Sequence, residues 1–389
     1  MRKLHVSGTV VVLLLLTIAS CTRRSGQPMS QNNSAPMQPA SLKVLFAKDF
    51  MIGAALNPNQ YEERDAAGAA LIKAQFNTIS PENVLKWEKV HPTKGVYDFG
   101  PADKYVDFGV KNGMFVVGHT LVWHSQVPRW VFQDDKGALV SRDTLLGRMR
   151  DHISTVVGRY KGRIKGWDVV NEALNEDGTM RKSPWQSIIG DDFVAKAFEY
   201  AHEADPNAQL YYNDYSLENP AKRAGAVRLI KELQSKGLKI HAIGSQAHMK
   251  MDWPTVGLED STIAIFAATG VKVNITELDI DVLPSNTANR TSDVSLRIEA
   301  NKALNPWPDV LPDSMQTKLA KRYGDMFAVF KKHGADIDRV TFWGVADGDS
   351  WLNGWPIPGR TSYPLVFDRQ HKAKPAFDAI VRVARGTIQ

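Results

Sequence analysis

The feature that most restricts this chain is a repeat. From about Leu42 onward, short β-branched and aromatic runs alternate with amphipathic stretches of helical period, one cycle every roughly forty residues. The strand candidates are residues 50–56, 76–80, 115–122, 164–170, 209–213, 242–246, 271–276 and 340–345. Between them lie helical candidates at 62–74, 103–112, 145–160, 193–204, 221–235, 258–268 and 314–333, and a closing helix at 375–384. Alternating strands and helices pack as a parallel sheet covered by helices. Eight repeats favour closure into a single (β/α)8 barrel over an open sheet. Of the 389 residues, 43% are apolar and 23% charged, an ordinary globular balance. Residues 42–389 use up the chain as one barrel domain.

A barrel of this kind works at the C-terminal ends of its strands. Seven of the eight candidates end there in hydrogen-bonding or aromatic side chains. Strand 2 runs into Glu82, Asn83, Lys86 and Trp87, and strand 3 into His119, Trp123 and His124. Strand 4 ends in Asn171 and Glu172, strand 5 in Asn213 and Asp214, and strand 6 in Gln246 and His248. Strand 7 ends in Glu277 and Asp279, two residues apart and so on one face. Strand 8 supplies Trp343, then Trp351 and Trp355 in a Gly/Pro-rich loop. Singly, each has a plain structural reading: His119 and His248 as hydrogen-bonded core histidines, Trp87 and Trp343 as packing, Asn171 as a helix cap. Their concentration on one rim is what points to a site.

Two carboxylates facing each other across a barrel mouth suit glycosidic bond cleavage. One protonates the leaving oxygen and the other meets the oxocarbenium-like carbon. Glu172 and Glu277 are the candidates. Asn, Gln, His and Lys side chains around them match a polyhydroxylated ligand, and indole faces match sugar C–H surfaces. Asn171 and Glu172 are adjacent, so a regular strand would point them apart. An irregular strand end or bulge must turn both into the mouth. No phosphate-binding glycine loop and no HExxH metal motif is present, so neither a cofactor nor a metal is expected.

Four stretches in order resemble the family 10 glycoside hydrolases, the endo-β-1,4-xylanases: Glu82–Trp87, Gly118–His124, Trp167–Glu172 and, most specifically, Gly270–Ile280. The resemblance implies a retaining mechanism with Glu277 as nucleophile and Glu172 as acid/base. It implies that Asn171 bonds the sugar 2-OH, that His248 bonds Glu277, and that Asp279 orients His248. Glu82, Asn83, Lys86, His119, Trp123, Gln246, Trp343 and Trp351 would grip xylosyl units on the glycone side, with Gln126 further out. Val127 stands where many members carry a second polar residue, which leaves distal glycone binding in question. Xylan and xylo-oligosaccharides are the implied ligands. Another β-1,4-glycan, or xylan binding without cleavage, are the alternatives. The long stretch 281–312, with Asn305-Pro306-Trp307-Pro308, is expected beside the cleft.

Arg2 and Lys3 precede an apolar run from Val10 to Ile18, too short to span a bilayer and typical of an export signal. Ile18-Ala19-Ser20-Cys21 looks like the lipobox of bacterial lipoproteins, and Cys21 is the only cysteine, so no internal disulfide can form. The expectation is a signal peptide at 1–20, then a lipidated Cys21 and a polar tether to residue 41. The protein would be a monomer held to the cell envelope only by its lipid, the periplasmic face favoured because no acidic cluster follows Cys21. The formal charge is +6, but basic residues are scattered with no run of five, which argues against nucleic acid.

Overall fold

The computed structural model describes residues 40–284 and 292–387. Eight parallel strands close on themselves: β1 (Met51–Leu56), β2 (Thr78–Pro81), β3 (Phe115–Val122), β4 (Ile164–Asn171), β5 (Gln209–Asp214), β6 (Ala242–Ser245), β8 (Lys272–Asp281) and β9 (Ile337–Phe342). Each pairs with the next, and β9 returns to β1 through Met51 opposite Arg339 and Ala54 opposite Phe342. A three-residue strand, β7 (His248–Lys250), lies outside this ring and pairs only with the C-terminal half of β8. The closed sheet leaves no free edge, and each crossover carries a helix whose apolar side packs on it.

The helices begin where the sequence supplies caps. Ser141 accepts from Thr144 N ahead of Arg142–Tyr160, and Thr255 accepts from Leu258 N ahead of Val256–Ala267. Pro220 and Pro375 occupy first-turn positions where no N–H is needed. The helix expected at 62–74 begins later, as Ala66–Gln75; residues 62–65 form a turn after a separate short helix, Pro58–Tyr61. Glu63 has φ +56° within that turn, and Asp65 caps Ala66–Gln75 by accepting from Gly68 N. The last strand starts three residues earlier than expected, at Ile337, and strand 7 runs on to Asp281.

Inside the barrel, close approach depends on glycine. A Cβ on Gly166 would lie 2.0 Å from the Tyr211 hydroxyl, and one on Gly118 would lie 2.1 Å from the Trp167 ring. Tyr211 in turn packs with Val117 and Ala242, and the Arg339 guanidinium sits 4.3 Å from its ring centre. The barrel floor is thus filled, and open space is left to the other end. The expected signal peptide, Cys21 and the tether up to residue 39 lie outside the described residues.

Candidate active site

At the C-terminal rim a cavity of about 230 Å³ is lined by Glu82, Asn83, Lys86, His119, Trp123, Gln126, Asn171, Glu172, Gln246, His248, Glu277, Trp343 and Trp351, together with Ser292, Val294 and Asp349. Every residue expected to act on or grip the sugar is therefore here except Asp279, which lies behind His248; of the other strand-end residues, His124, Asn213, Asp214 and Trp355 do not line the cavity. Trp87 is not part of it: buried, it stacks on His152 with ring centres 3.6 Å apart and belongs to the core.

Backbone irregularities aim the side chains. β4 slips register against β5 between Asp168 and Val170, and Glu172, just past the strand end, adopts φ +57°. That left-handed step turns both Asn171 and Glu172 into the mouth, as their adjacency required. Three contacts hold it: Glu172 N donates to Asn213 O (2.9 Å), Arg181 Nε donates to Glu172 O (3.1 Å), and Ala173 N donates to the Tyr212 hydroxyl (3.0 Å). Ala247 makes a second such step, φ +59°, between Gln246 and His248. It separates β6 from β7 and lets both side chains reach the cavity.

Glu172 accepts from Trp123 Nε1 (2.8 Å), Gln246 Nε2 (3.0 Å) and Asn171 Nδ2 (3.2 Å). Burial and the charge of Asp214 push its carboxyl up to about 6, against the hydrogen bonds from Gln246 and Trp123. Glu277 accepts from Asn213 Nδ2 (2.8 Å) and pairs with His248 Nε2 (3.2 Å). Burial raises Glu277 too, but the His248 hydrogen bond and the charges of His119 and His248 outweigh it and leave its carboxyl below the ordinary value. Asn213 connects the two acids: its Nδ2 also donates to Asn171 Oδ1 (2.9 Å), and its Oδ1 accepts from Thr276 Oγ1 (2.6 Å), which fixes the amide orientation.

Behind His248, Asp279 Oδ1 lies 3.1 Å from Nδ1, an ion pair too bent to count as a well-formed hydrogen bond. Burial alone would strip His248 of its proton, yet Asp279 and Glu277 together raise it to about 10. Trp351 Nε1 donates to Asp279 Oδ2 (2.8 Å), and the Trp351 ring stacks on Trp355 at 4.2 Å. His119 is held by Asp168 Oδ2 (2.9 Å), and Trp343 stands edge-on to both His119 and His248. Toward the other end, Lys86 Nζ donates to Asn83 Oδ1 (3.0 Å) and Gln126 Oε1 (2.9 Å) and lies 4.9 Å from the Trp123 ring centre.

Glycosyl hydrolase family 10 matches residues 41–383, nearly the whole barrel. The chain belongs to that family. It is therefore a glycoside hydrolase. Endo-1,4-beta-xylanase A of Xylanibacter ruminicola is 45% identical over 343 residues, 88% of this chain and 93% of that protein. A family 10 endoxylanase from a sugarcane soil metagenome superposes with TM-score 0.86 at 48% identity, covering 88% of this chain and all of the other. An intracellular xylanase of Thermoanaerobacterium saccharolyticum, solved as a glutamate-to-alanine variant with xylotetraose, superposes with TM-score 0.76 at 36% identity, covering 87% and 98%.

The family 10 cleft depends on residues to which strand-end reasoning gave no role. Asn213 stood in plain view at the end of β5, and its burial beside two acids was the missing clue. Ser292, Val294 and Asp349 sit in loops, where no period reports which way a side chain faces.

Proposed function

We propose that this chain is a retaining endo-β-1,4-xylanase that cleaves internal bonds of xylan and xylo-oligosaccharides by double displacement. One observation carries the reading: two buried glutamates facing one cavity are driven apart in acidity, Glu172 upward and Glu277 downward. Protonated Glu172 gives its proton to the leaving oxygen while Glu277 attacks the anomeric carbon and forms a glycosyl ester. Glu172, now ionised, then takes a proton from water as that water displaces Glu277. Asn171 Nδ2 has one hydrogen on Glu172 and a second free for the 2-OH. Glu82, Asn83, Lys86, His119, Trp123, Gln126, Gln246, Trp343 and Trp351 are the proposed sugar contacts, and His248 with Asp279 keeps Glu277 ionised. Xylan as substrate is supported by relatives named as xylanases.

The test is the release of reducing ends from xylan and from carboxymethylcellulose, with the product anomer followed by NMR. Cleavage of xylan to the β-anomer is expected. Inversion, preference for the cellulose derivative, or binding without cleavage would each overturn the assignment. For the N-terminus the proposal is export and lipidation at Cys21, with residues 22–41 as tether to the periplasmic face. Loss of palmitate labelling in Cys21→Ser checks it.

A further inference from the structure

One guanidinium joins the loops of the two strands that carry the acids. Arg181 lies in the loop after β4, where its N–H donates to Ala173 O (2.7 Å). Its Nε donates to Glu172 O (3.1 Å), and its Nη2 donates to Leu174 O (3.4 Å) and the Tyr215 hydroxyl (2.8 Å). The remaining nitrogen, Nη1, lies 3.5 Å from Asp293 Oδ2. Asp293 belongs to the stretch after β8, the strand of Glu277. Its other oxygen, Oδ1, accepts from Ser295 N (2.9 Å) and Ser295 Oγ (2.7 Å), which sets the carboxylate against its own turn.

The residues on either side of Asp293 face the cleft. Ser292, which is buried, and Val294 both line the main cavity. Ser292 also lines a smaller cavity of about 20 Å³ with Ser216, which follows β5, and Trp253, which follows β7. In the closed sheet β5 and β6 stand opposite β1 and β2, and the loop after β2 supplies Glu82, Asn83 and Lys86 to the glycone end. Ser292 and Val294 therefore stand toward the leaving-group end. The surrounding charges make Arg181 the cation that holds Asp293. Burial and then the Arg181 charge push His124 down to about 4, so it is neutral beside them. Asp214, a further acid acting on Arg181, is paired with Lys222 (2.9 Å), and Glu172 offers Arg181 its backbone carbonyl rather than its carboxylate.

We propose that Asp293 is a specificity-determining residue: held by Arg181, it fixes Ser292 and Val294 as the wall that a leaving-group sugar packs against. The proposal rests on the retaining xylanase reading, which defines the two ends of the cleft. The Glu172 carboxylate is held independently by Trp123, Gln246 and Asn171, so loosening the wall leaves the proton donor in place. The same end of the cleft serves the second step. A sugar hydroxyl bound there can replace water: its oxygen bonds to the anomeric carbon as the ester bond to Glu277 breaks, and its proton passes to ionised Glu172. The ion pair is partly exposed, so its loss is worth roughly two- to fivefold in leaving-group or acceptor binding.

The experiment uses Asp293→Asn, which keeps the side-chain size and the acceptor for Ser295 and removes the charge. Its kcat/KM should fall roughly two- to fivefold on xylotetraose and stay at the wild-type value on an aryl xylobioside, whose leaving group is no sugar. With the aryl xylobioside as donor and xylobiose as acceptor, the ratio of transfer to hydrolysis should fall by the same factor. Arg181→Met also releases Glu172 O, so it should slow both substrates. Equal losses on both substrates in Asp293→Asn, no loss on xylotetraose, or an unmoved transfer ratio overturns the proposal. Amide hydrogen exchange of residues 292–296, read by mass spectrometry without any sugar, should speed up in Asp293→Asn. Unchanged exchange overturns the pinning whatever the substrate, whereas wild-type protein that cleaves neither compound overturns the xylanase reading and the leaving-group role with it.

Discussion

Glu172 and Glu277 are the same residue type, almost equally buried, and joined through Asn171 and Asn213, yet their carboxyls move in opposite directions. The number of hydrogen bonds does not explain it. Glu172 accepts from Trp123, Gln246 and Asn171, whereas Glu277 accepts from Asn213 and His248 only. What differs is charge. All the donors to Glu172 are neutral, and burial together with the charge of Asp214, itself paired with Lys222, outweighs them. One donor to Glu277 is a histidine kept cationic by Asp279, and His119 adds to it. In a buried site the sign of the neighbours' charge outweighs the count of polar contacts.

The sharpest way to break this comparison is to remove each acid. Glu277→Ala should lose most of the roughly 10⁶-fold or greater acceleration typical of enzymes, on xylan and on aryl xylosides alike, while circular dichroism stays native. Glu172→Ala should lose roughly 10²–10⁴-fold on xylan and far less in forming the glycosyl-enzyme from an aryl xyloside whose leaving group needs no proton. The wild-type kcat should fall as pH rises through about 6, where Glu172 gives up its proton. That limb should be missing in burst measurements on Glu172→Ala. Equal losses in both variants on both substrates would erase the distinction.

The barrel was legible because strand and helix periods survive in sequence, and its rim because strand ends take function. Glu277 and Asp279 could be placed on one face from spacing alone. The turn of Glu172 could be demanded by its neighbour Asn171, though not its φ of +57°. The turn at 62–65 escaped because Glu62, Glu63 and Arg64 are good helix formers and neither Gly nor Pro marks it. β7 escaped because three residues carry no period. The acidity of Glu172 depends in part on Asp214 from another strand, and Glu277 is paired with His248 from a third. Such pairings exist only once the sheet closes.

A smaller effect tests the support behind Glu277. His248 has its proton held to about 10 against an ordinary 6.5, so the pairing with Asp279 and Glu277 stabilises the fold fully below 6.5 and is lost as pH rises through about 10. Asp279→Asn should cost about 3 kcal/mol at pH 6, read by urea denaturation, and the gap to wild type should shrink toward pH 10. A gap that does not vary with pH would mean Asp279 acts through its hydrogen bond to Trp351 rather than through charge.

The smallest effect has opposite signs at the two acids. Glu172 ionises at about 6 in the fold against an ordinary 4.5, so its contribution to stability is intact below 4.5 and lost as pH rises through 6. Glu172→Gln cannot ionise, and it should gain up to about 2 kcal/mol over wild type at pH 8 and nothing at pH 4. Glu277 is held below its ordinary value, so its anion stabilises the fold above 4.5 and that contribution is lost as pH falls through the lowered value. Glu277→Gln should therefore be destabilised at pH 8, with His248 left facing an amide, and the deficit should close in acid. Urea melts of the two variants at pH 4 and pH 8 give four comparisons with wild type. If both substitutions moved stability the same way at pH 8, the two carboxyls would not differ in the charge around them, and the division of labour between proton donor and nucleophile would lose its physical basis.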